Sequence, residues 1–352
     1  MSETDDNLDG PYFEGVEKLL EIWFKKPPGS DGDLRNIPRP VFEGLLKNVH
    51  CEVISFSQNE EVDAYVLSES SMFVAEKRFI LKTCGTTTPL ECLKDLLSLV
   101  EQYAGFTCIE DVFYSRKNFK KPELQKDPHH SFEQEVAYLD KFFKDGVGYC
   151  LGSSDFDCWF LYTLQGTKES DNNNITIREI CEKPAKVEPD QTLEVLMTDL
   201  DPDVMAIFTK KGSSSAAEAT IKSGIDTIFP TMIIDDFLFE PCGYSMNGIS
   251  KNGSYMTIHI TPEPEFSYVS FETNMPQYCY TEVIQKVVNI FRPGKCVITL
   301  FTNKESVANC SDLLTSSRKK YINFGELQCR EIQFCQLRNY DLTFAFYSKF
   351  PS

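Results

Sequence analysis

The chain lacks the short motifs that commonly mark a bound nucleotide, a protease metal or a hydrolase serine. It contains no GxxxxGK[ST], no GxGxxG, no HExxH and no GxSxG. Histidine is scarce, and two of the four stand together as His129-His130 in a polar stretch, so a multi-histidine metal centre is not expected. The 13 cysteines form no CxxC pair for zinc, and their odd number excludes complete internal pairing. No run of 18 uncharged apolar residues exists, so no membrane-spanning helix is expected. No apolar run follows the acidic start Met1–Asp9, so no signal peptide is read, and a reducing, cytoplasmic setting is expected. Basic residues are the minority, 35 against 53 acidic, which leaves a net charge of −18. Phosphate backbones are bound by clustered Lys and Arg, so nucleic acid is not an expected partner. A cationic ligand suits this balance, although acidity serves solubility in most proteins.

What is present is enough for a large core: 352 residues, 41% of them hydrophobic. Apolar spacing predicts helices over Glu14–Phe24, Val41–Lys47, Pro89–Tyr103, Ser131–Phe143, Val204–Phe208 and Thr281–Phe291. Strand signals fall at Cys51–Ser57, Asp63–Leu67, Arg78–Cys84, Gly148–Leu151, Cys158–Leu164 and Thr192–Met197. They return at Tyr255–Ile260, Tyr268–Glu272, Val297–Phe301 and Leu342–Tyr347. Gln165–Pro189 reads as a long polar loop, and Gly212–Ala217 as a second break. The hairpin-like spacing favours antiparallel sheets with helices outside them, an α+β layout. No repeat is visible by sequence identity.

Four segments could carry chemistry. Leu67–Val74 runs from apolar strand residues through Ser68-Glu69-Ser70-Ser71 and back. It reads either as an ordinary hairpin turn or as a strained one whose serine hydroxyl attacks the preceding carbonyl. In Arg78–Thr87, Lys82 and Cys84 share a strand face, and Cys84 before a glycine turn is either a buried small hydrophobe or a proton donor. Tyr255, Thr257 and His259 lie on one strand face, and His259 with Ser245 could shuttle a proton if the fold joins them. Glu14, Glu17 and Glu21 would share one helix face, and Asp190, Thr192 and Glu194 one strand face. Such rows are usually solvated; buried, they need a cation.

Six motifs together resemble the eukaryotic S-adenosylmethionine decarboxylases: Tyr65–Val74 (YVLSESSMFV), Arg78–Thr87 (RFILKTCGTT), Phe113–Phe119 (FYSRKNF), Pro189–Leu193 (PDQTL), Pro241–Gly248 (PCGYSMNG) and Thr257–Asn274 (TIHITPEPEFSYVSFETN). They occur in family order, and the likeness spans roughly Tyr12 to Tyr347. The resemblance implies a four-layer αββα sandwich of two antiparallel β-sheets, with residues 1–352 forming one domain. It implies a proenzyme that cuts itself between Glu69 and Ser70, leaving a β chain of residues 1–69 and an α chain of residues 70–352. Ser70 would become a covalent pyruvoyl group that forms a Schiff base with S-adenosylmethionine and drives its decarboxylation for spermidine and spermine synthesis. Carried over residue by residue, Cys84 is the proton donor, Ser245 and His259 act in processing, and Glu14 and Glu17 lie near both events. Phe13 and Phe239 match the pair that sandwiches adenine, Glu263 the carboxylate on ribose, and Leu67 a backbone contact to adenine. Glu21, Lys82, Phe113, Asp190, Thr192, Glu194, Glu272, Phe301 and Tyr340 match the site of the activator putrescine. Animal members are dimers of αβ protomers and plant members can be monomeric. A rival reading is an inactive paralogue that binds an active partner. Such a protein would stay uncut, and those paralogues typically lack one of the residues that are all present here.

Overall fold

The structure, a computed structural model, describes residues 12–153, 157–165, 187–308 and 322–350. The acidic start and most of the Gln165–Pro189 segment lie outside the described residues. The first half contains β1 (Lys18–Lys25), α1 (Arg39–Asn48), β2 (Val53–Gln58), β3 (Val62–Leu67), β4 (Ser70–Ala75), β5 (Arg78–Thr83), α2 (Leu93–Ala104), β6 (Cys108–Lys117), α3 (Phe132–Leu139), β7 (Gly146–Gly152) and β8 (Cys158–Leu164). The second contains β9 (Gln191–Thr198), α4 (Pro202–Met205), α5 (Ala216–Ser223), β10 (Ile233–Leu238), β11 (Tyr244–Ile249), β12 (Tyr255–Thr261), β13 (Tyr268–Thr273), α6 (Thr281–Phe291), β14 (Lys295–Asn303), β15 (Gln328–Gln336) and β16 (Tyr340–Ser348).

Two eight-stranded sheets result, ordered β2-β3-β4-β5-β1-β6-β8-β7 and β10-β11-β12-β13-β9-β14-β16-β15. The second order is the first with eight added to every number, so the halves repeat in topology although not in sequence. All strand pairings are antiparallel. Each sheet buries one face beneath helices. Leu20, Ile22 and Phe24 of β1 pack with Leu45, Leu46, Leu96 and Val100 of α1 and α2. Met256, Ile258 and Ile260 of β12 pack with Ala219, Ile284 and Val288 of α5 and α6. The other faces meet each other, giving the expected αββα sandwich. Besides two apolar clusters, the interface between the sheets holds a belt of buried charge: Glu17, Glu21, Arg78, Lys82, Glu194, His259 and Glu272.

One expected helix is a strand. Glu14–Phe24 forms no helix; Lys18–Lys25 is the central strand β1, between β5 and β6. Positions i and i+4 share a face in both geometries, so Glu17 and Glu21 fit either period. Burial on both sides removed the polar alternation that marks a half-exposed strand. The strand β11 also escaped the sequence, because Asn247-Gly248 reads as a turn. Gly248 instead sits mid-strand, where a Cβ would press to 3.2 Å from Met232 Sδ. The expected break at Gly212–Ala217 ends in the start of α5, where the Ser215 side chain accepts the Glu218 N–H.

Candidate active site

Strands β3 and β4 form a hairpin that pairs Leu67 with Ser70 across the two-residue turn Ser68-Glu69. Such turns favour Asn-Gly or Gly, which tolerate positive φ. Neither is present, and the positive angle falls on Ser70, with φ of 125°. A left-handed φ on a side-chain-bearing residue costs on the order of 1–3 kcal/mol, held here at the Glu69–Ser70 peptide. Ser70 is buried, and its hydroxyl donates to Glu17 Oε1 at 2.9 Å. The Glu69 carbonyl accepts the Cys84 backbone N–H at 3.0 Å and faces the Cys84 thiol at 3.5 Å. A serine hydroxyl, a strained peptide and a donor-lined carbonyl thus meet at one bond.

Glu17 holds the centre of this site. Burial pushes its carboxyl up, but His259 and Lys82 outweigh burial and hold it down at about 2. An ionised carboxylate only accepts hydrogen bonds. His259 Nδ1, 2.5 Å from Glu17 Oε1, must therefore carry a hydrogen. In the neutral ring the lone pair then belongs to Nε2, which stands 2.8 Å from Ser71 Oγ and 3.3 Å from Thr257 Oγ1. Asn247 Oδ1 lies 2.7 Å from Ser71 Oγ and 3.0 Å from Thr257 Oγ1, so it competes with Nε2 for the single hydrogen of each hydroxyl. Ser245 is the register partner of His259 across β11 and β12, and both line the same cavity, but the ring's closest partners are Glu17 and Ser71.

Cys84 follows β5 at a glycine turn. Gly85 has φ of +61°, and a Cβ there would meet the Phe13 ring at 3.1 Å and Glu69 Oε2 at 3.2 Å, so no other residue fits without displacement. Burial, then the charges of Glu69 and Glu17, push the Cys84 thiol well above its usual range. The sulfur therefore keeps its proton at neutral pH.

These groups open on a cavity of 780 Å³. Phe13, Phe239 and Glu263 line it with Glu69, Ser70, Cys84, Ser245 and His259. Glu263 Oε2 is buried and lacks a hydrogen-bond partner. Two expected residues do not line the cavity with their side chains. The Leu67 side chain packs in the core beneath the helices, which leaves its backbone for the contact expected of it. The Glu14 carboxylate accepts the Tyr12 hydroxyl at 2.8 Å and the Lys120 and Lys121 N–H groups, so it ties down a loop.

A second, narrow cavity of 30 Å³ lies farther along the sheets. Glu21, Phe113, Asp190, Thr192, Glu194, Glu272, Phe301 and Tyr340 line it, joined by Leu19, Ser115 and Thr299, which the sequence reading missed. Lys82 stands at its inner end, 2.7 Å from Glu272, 3.1 Å from Glu194 and 3.6 Å from Glu17. One side chain thus joins two carboxylates of this cavity to Glu17, the acceptor of the Ser70 hydroxyl. Arg78, also missed, pairs with Glu21 at 2.8 Å and Asp190 at 3.4 Å. Four carboxylates of this cavity face two cations, a shortfall of two positive charges. Protonation answers part of it. Burial raises Glu21, and it raises Glu194 to about 7 against the pull of Lys82. Among the described residues no cluster of His, Cys, Asp and Glu has the arrangement of a metal site.

Comparison with known proteins is consistent across sequence and structure. Residues 11–348 match the family model described as adenosylmethionine decarboxylase. The chain is 53% identical to the S-adenosylmethionine decarboxylase proenzyme of Drosophila melanogaster, over 96% of this chain and 95% of that protein. It is 36% identical to the proenzyme of Saccharomyces cerevisiae, over 93% and 91% of the two chains. Among solved structures it is similar in fold to Trypanosoma brucei AdoMetDC-delta26, with a TM-score of 0.57 at 24% identity, covering 79% of this chain and 98% of that one.

Proposed function

The chain belongs to the adenosylmethionine decarboxylase family, and we propose that it decarboxylates S-adenosylmethionine with a pyruvoyl group that it makes from its own Ser70. The observation that carries this reading is the meeting of the strained Ser70, the Glu17 carboxylate and the donor-lined Glu69 carbonyl. Glu17 orients the Ser70 hydroxyl, which attacks the Glu69 carbon. The backbone N–H of Cys84 steadies the charge that develops on the carbonyl oxygen. The peptide nitrogen takes up a proton and leaves, so an ester replaces the amide. Removal of the Ser70 α-proton then expels Glu69 as a free carboxylate; we take Nε2 of His259, which stands beside Ser71, as the base. Water releases ammonia from the dehydroalanine at position 70 and completes the pyruvoyl terminus. That group supplies an electron-withdrawing carbonyl, which bonds the substrate amine and accepts the electrons of the breaking carboxylate bond.

The remaining residues bind, orient and protonate. Phe13 and Phe239 offer ring faces to adenine, favoured by the positive sulfonium of the ligand. The unpartnered Glu263 oxygen suits a ribose hydroxyl. Cys84 holds the proton that the decarboxylated carbon needs. The Cys84→Ala variant is expected to cut normally, because its backbone N–H still reaches Glu69. Its decarboxylation should fall by about 100-fold or more, the usual contribution of a placed acid. Cleavage on a gel and release of labelled carbon dioxide measure the two separately, and a full decarboxylation rate would assign the proton to another group.

We assign the second cavity to putrescine, a dication on an unbranched chain. It supplies the two positive charges that Arg78 and Lys82 leave wanting, and Lys82 links its site to Glu17. Glu194, raised to about 7, must lose its proton for the dication to be held fully. A raised carboxylate favours the folded protein at low pH, and that contribution fades as pH rises from its ordinary range through about 7. Without diamine the protein therefore loses this stability toward pH 8, and bound putrescine restores it. The rise in Tm at saturating putrescine is expected to be larger at pH 8 than at pH 6. Equal shifts at the two pH values, or none, would remove the diamine from this cavity.

A further inference from the structure

Lys18 is a fully buried charged residue of β1 that no part of this chemistry uses. It points to the opposite side of the sheet from Glu17, toward the helices, where Leu20, Ile22 and Phe24 of the same strand face form the core. It is 0% exposed. Taking an ammonium out of water is costly, a cost that an ion pair normally offsets. Lys82 has three carboxylates for this purpose. Lys18 has no ion pair among the described residues. Its Nζ donates instead to the Gly85 carbonyl at 2.9 Å and to Gln125 Oε1 at 3.1 Å, and lies 5.3 Å from the centre of the Phe119 ring. The Arg116 beside it is already committed to Glu135 at 2.8 Å. A buried cation without a counterion, held on the carbonyl next to Cys84, needs a reason to remain charged.

We infer that Lys18 is a positioning residue for the Cys84 thiol, fixing the Cys84–Gly85 turn from beneath the sheet and balancing the negative charge left on sulfur when the thiol gives up its proton. This rests on Cys84 being the proton donor. In that step the S–H bond breaks, its electron pair stays on sulfur, and the proton joins the electron pair of the decarboxylated carbon. The thiolate later regains a proton from water. The site opposes such a charge. Burial, Glu69 and Glu17 all raise the thiol, whereas a hydrogen bond with Ser70 and, after it, the charge of Lys18 lower it. The groups acting on Lys18 are Cys84, Glu135 and Glu14, which favour its charge, and Arg116, which opposes it; His129 is neutralised by burial and held 2.7 Å from Glu135. Burial pulls Lys18 down to about 8, so its charge is present at neutral pH and fades above it.

Lys18→Gln keeps a donor for Gly85 without the charge, Lys18→Met removes both, and Lys18→Arg keeps the charge. Two readouts beyond turnover apply to the processed protein: the pH dependence of Cys84 alkylation by iodoacetamide, followed peptide by peptide in a mass spectrometer, and the fraction of long chains that end in alanine at position 70 after a fixed number of turnovers. Alanine forms when the proton goes to the wrong carbon: the substrate nitrogen then stays on the chain terminus and the substrate departs as an aldehyde. Lys18→Gln and Lys18→Met are expected to cut at Glu69–Ser70 as the wild type does. Both should alkylate Cys84 several-fold more slowly at pH 8 and raise the alanine fraction at least tenfold, with Lys18→Arg closer to wild type. A Lys18→Gln protein that keeps the wild-type alkylation profile and alanine fraction, or that fails to cut, overturns the inference. Cys84→Ala is the control on its foundation: an unchanged alanine fraction in that variant would instead defeat the assignment of Cys84 as donor.

Discussion

The Ser70→Ala variant is expected to purify as one uncut chain of 352 residues and to release no carbon dioxide from S-adenosylmethionine. Alanine removes a single oxygen. It leaves the β3–β4 hairpin, the Glu69 carbonyl and the Cys84 N–H in place, so the protein should fold. Two events depend on that oxygen: the attack that breaks the chain, and the carbonyl that later accepts the substrate amine. Removing it stops both, and the effect on turnover is a loss to background, since the other groups only assist. Cutting in this variant at the wild-type rate would mean that another nucleophile acts. Decarboxylation by an uncut chain would mean that the electron sink lies elsewhere.

Glu17→Gln is expected to slow self-cleavage about 100- to 10,000-fold, the range for loss of a placed acid or base group. The amide has the same shape but loses the charge. Ser70 Oγ and His259 Nδ1 exchange a charged acceptor at 2.9 and 2.5 Å for a neutral amide oxygen, and Lys82 meets an amide NH2 in place of one of its three carboxylates. The variant protein should accumulate uncut and mature slowly over hours. Time courses of purified precursor decide the point, and a wild-type cleavage rate would remove Glu17 from the reaction. Because Glu17 is held down at about 2 in the folded protein, its charge and the stability tied to it persist above the ordinary carboxylate range and are lost only as pH falls toward 2.

The chemistry-bearing residues were more legible in the sequence than the strand that carries several of them. Ser70, Cys84, Ser245 and His259 came from ordered motifs, and the structure brings them to one cavity. Period alone could not show that Glu17 and Glu21 sit on a strand, since a spacing of four fits both geometries. Nor could it show that Lys18, between them in the same sequence run, turns to the other face and is fully buried. Lys82 and Glu272 meet across 190 positions of sequence, and Ser71 and His259 across 188. Such contacts follow from two sheets stacking face to face, which no local pattern encodes. The topological repeat is invisible for a related reason: the halves share strand order while their inner faces diverged, one to carry the hairpin and thiol, the other the histidine. Ser71, Asn247 and Thr257 lay within or beside the quoted motifs. Alternation placed Thr257 on the strand face of His259, but nothing local marked the other two.

The most direct test of the whole account is the N-terminus of the long fragment from freshly purified wild-type protein. Two fragments are expected, residues 1–69 and 70–352, with the longer one blocked to Edman chemistry and carrying a ketone that reacts with a hydrazide. A single chain with an unmodified serine at position 70, in protein that folds and binds S-adenosylmethionine, would contradict it.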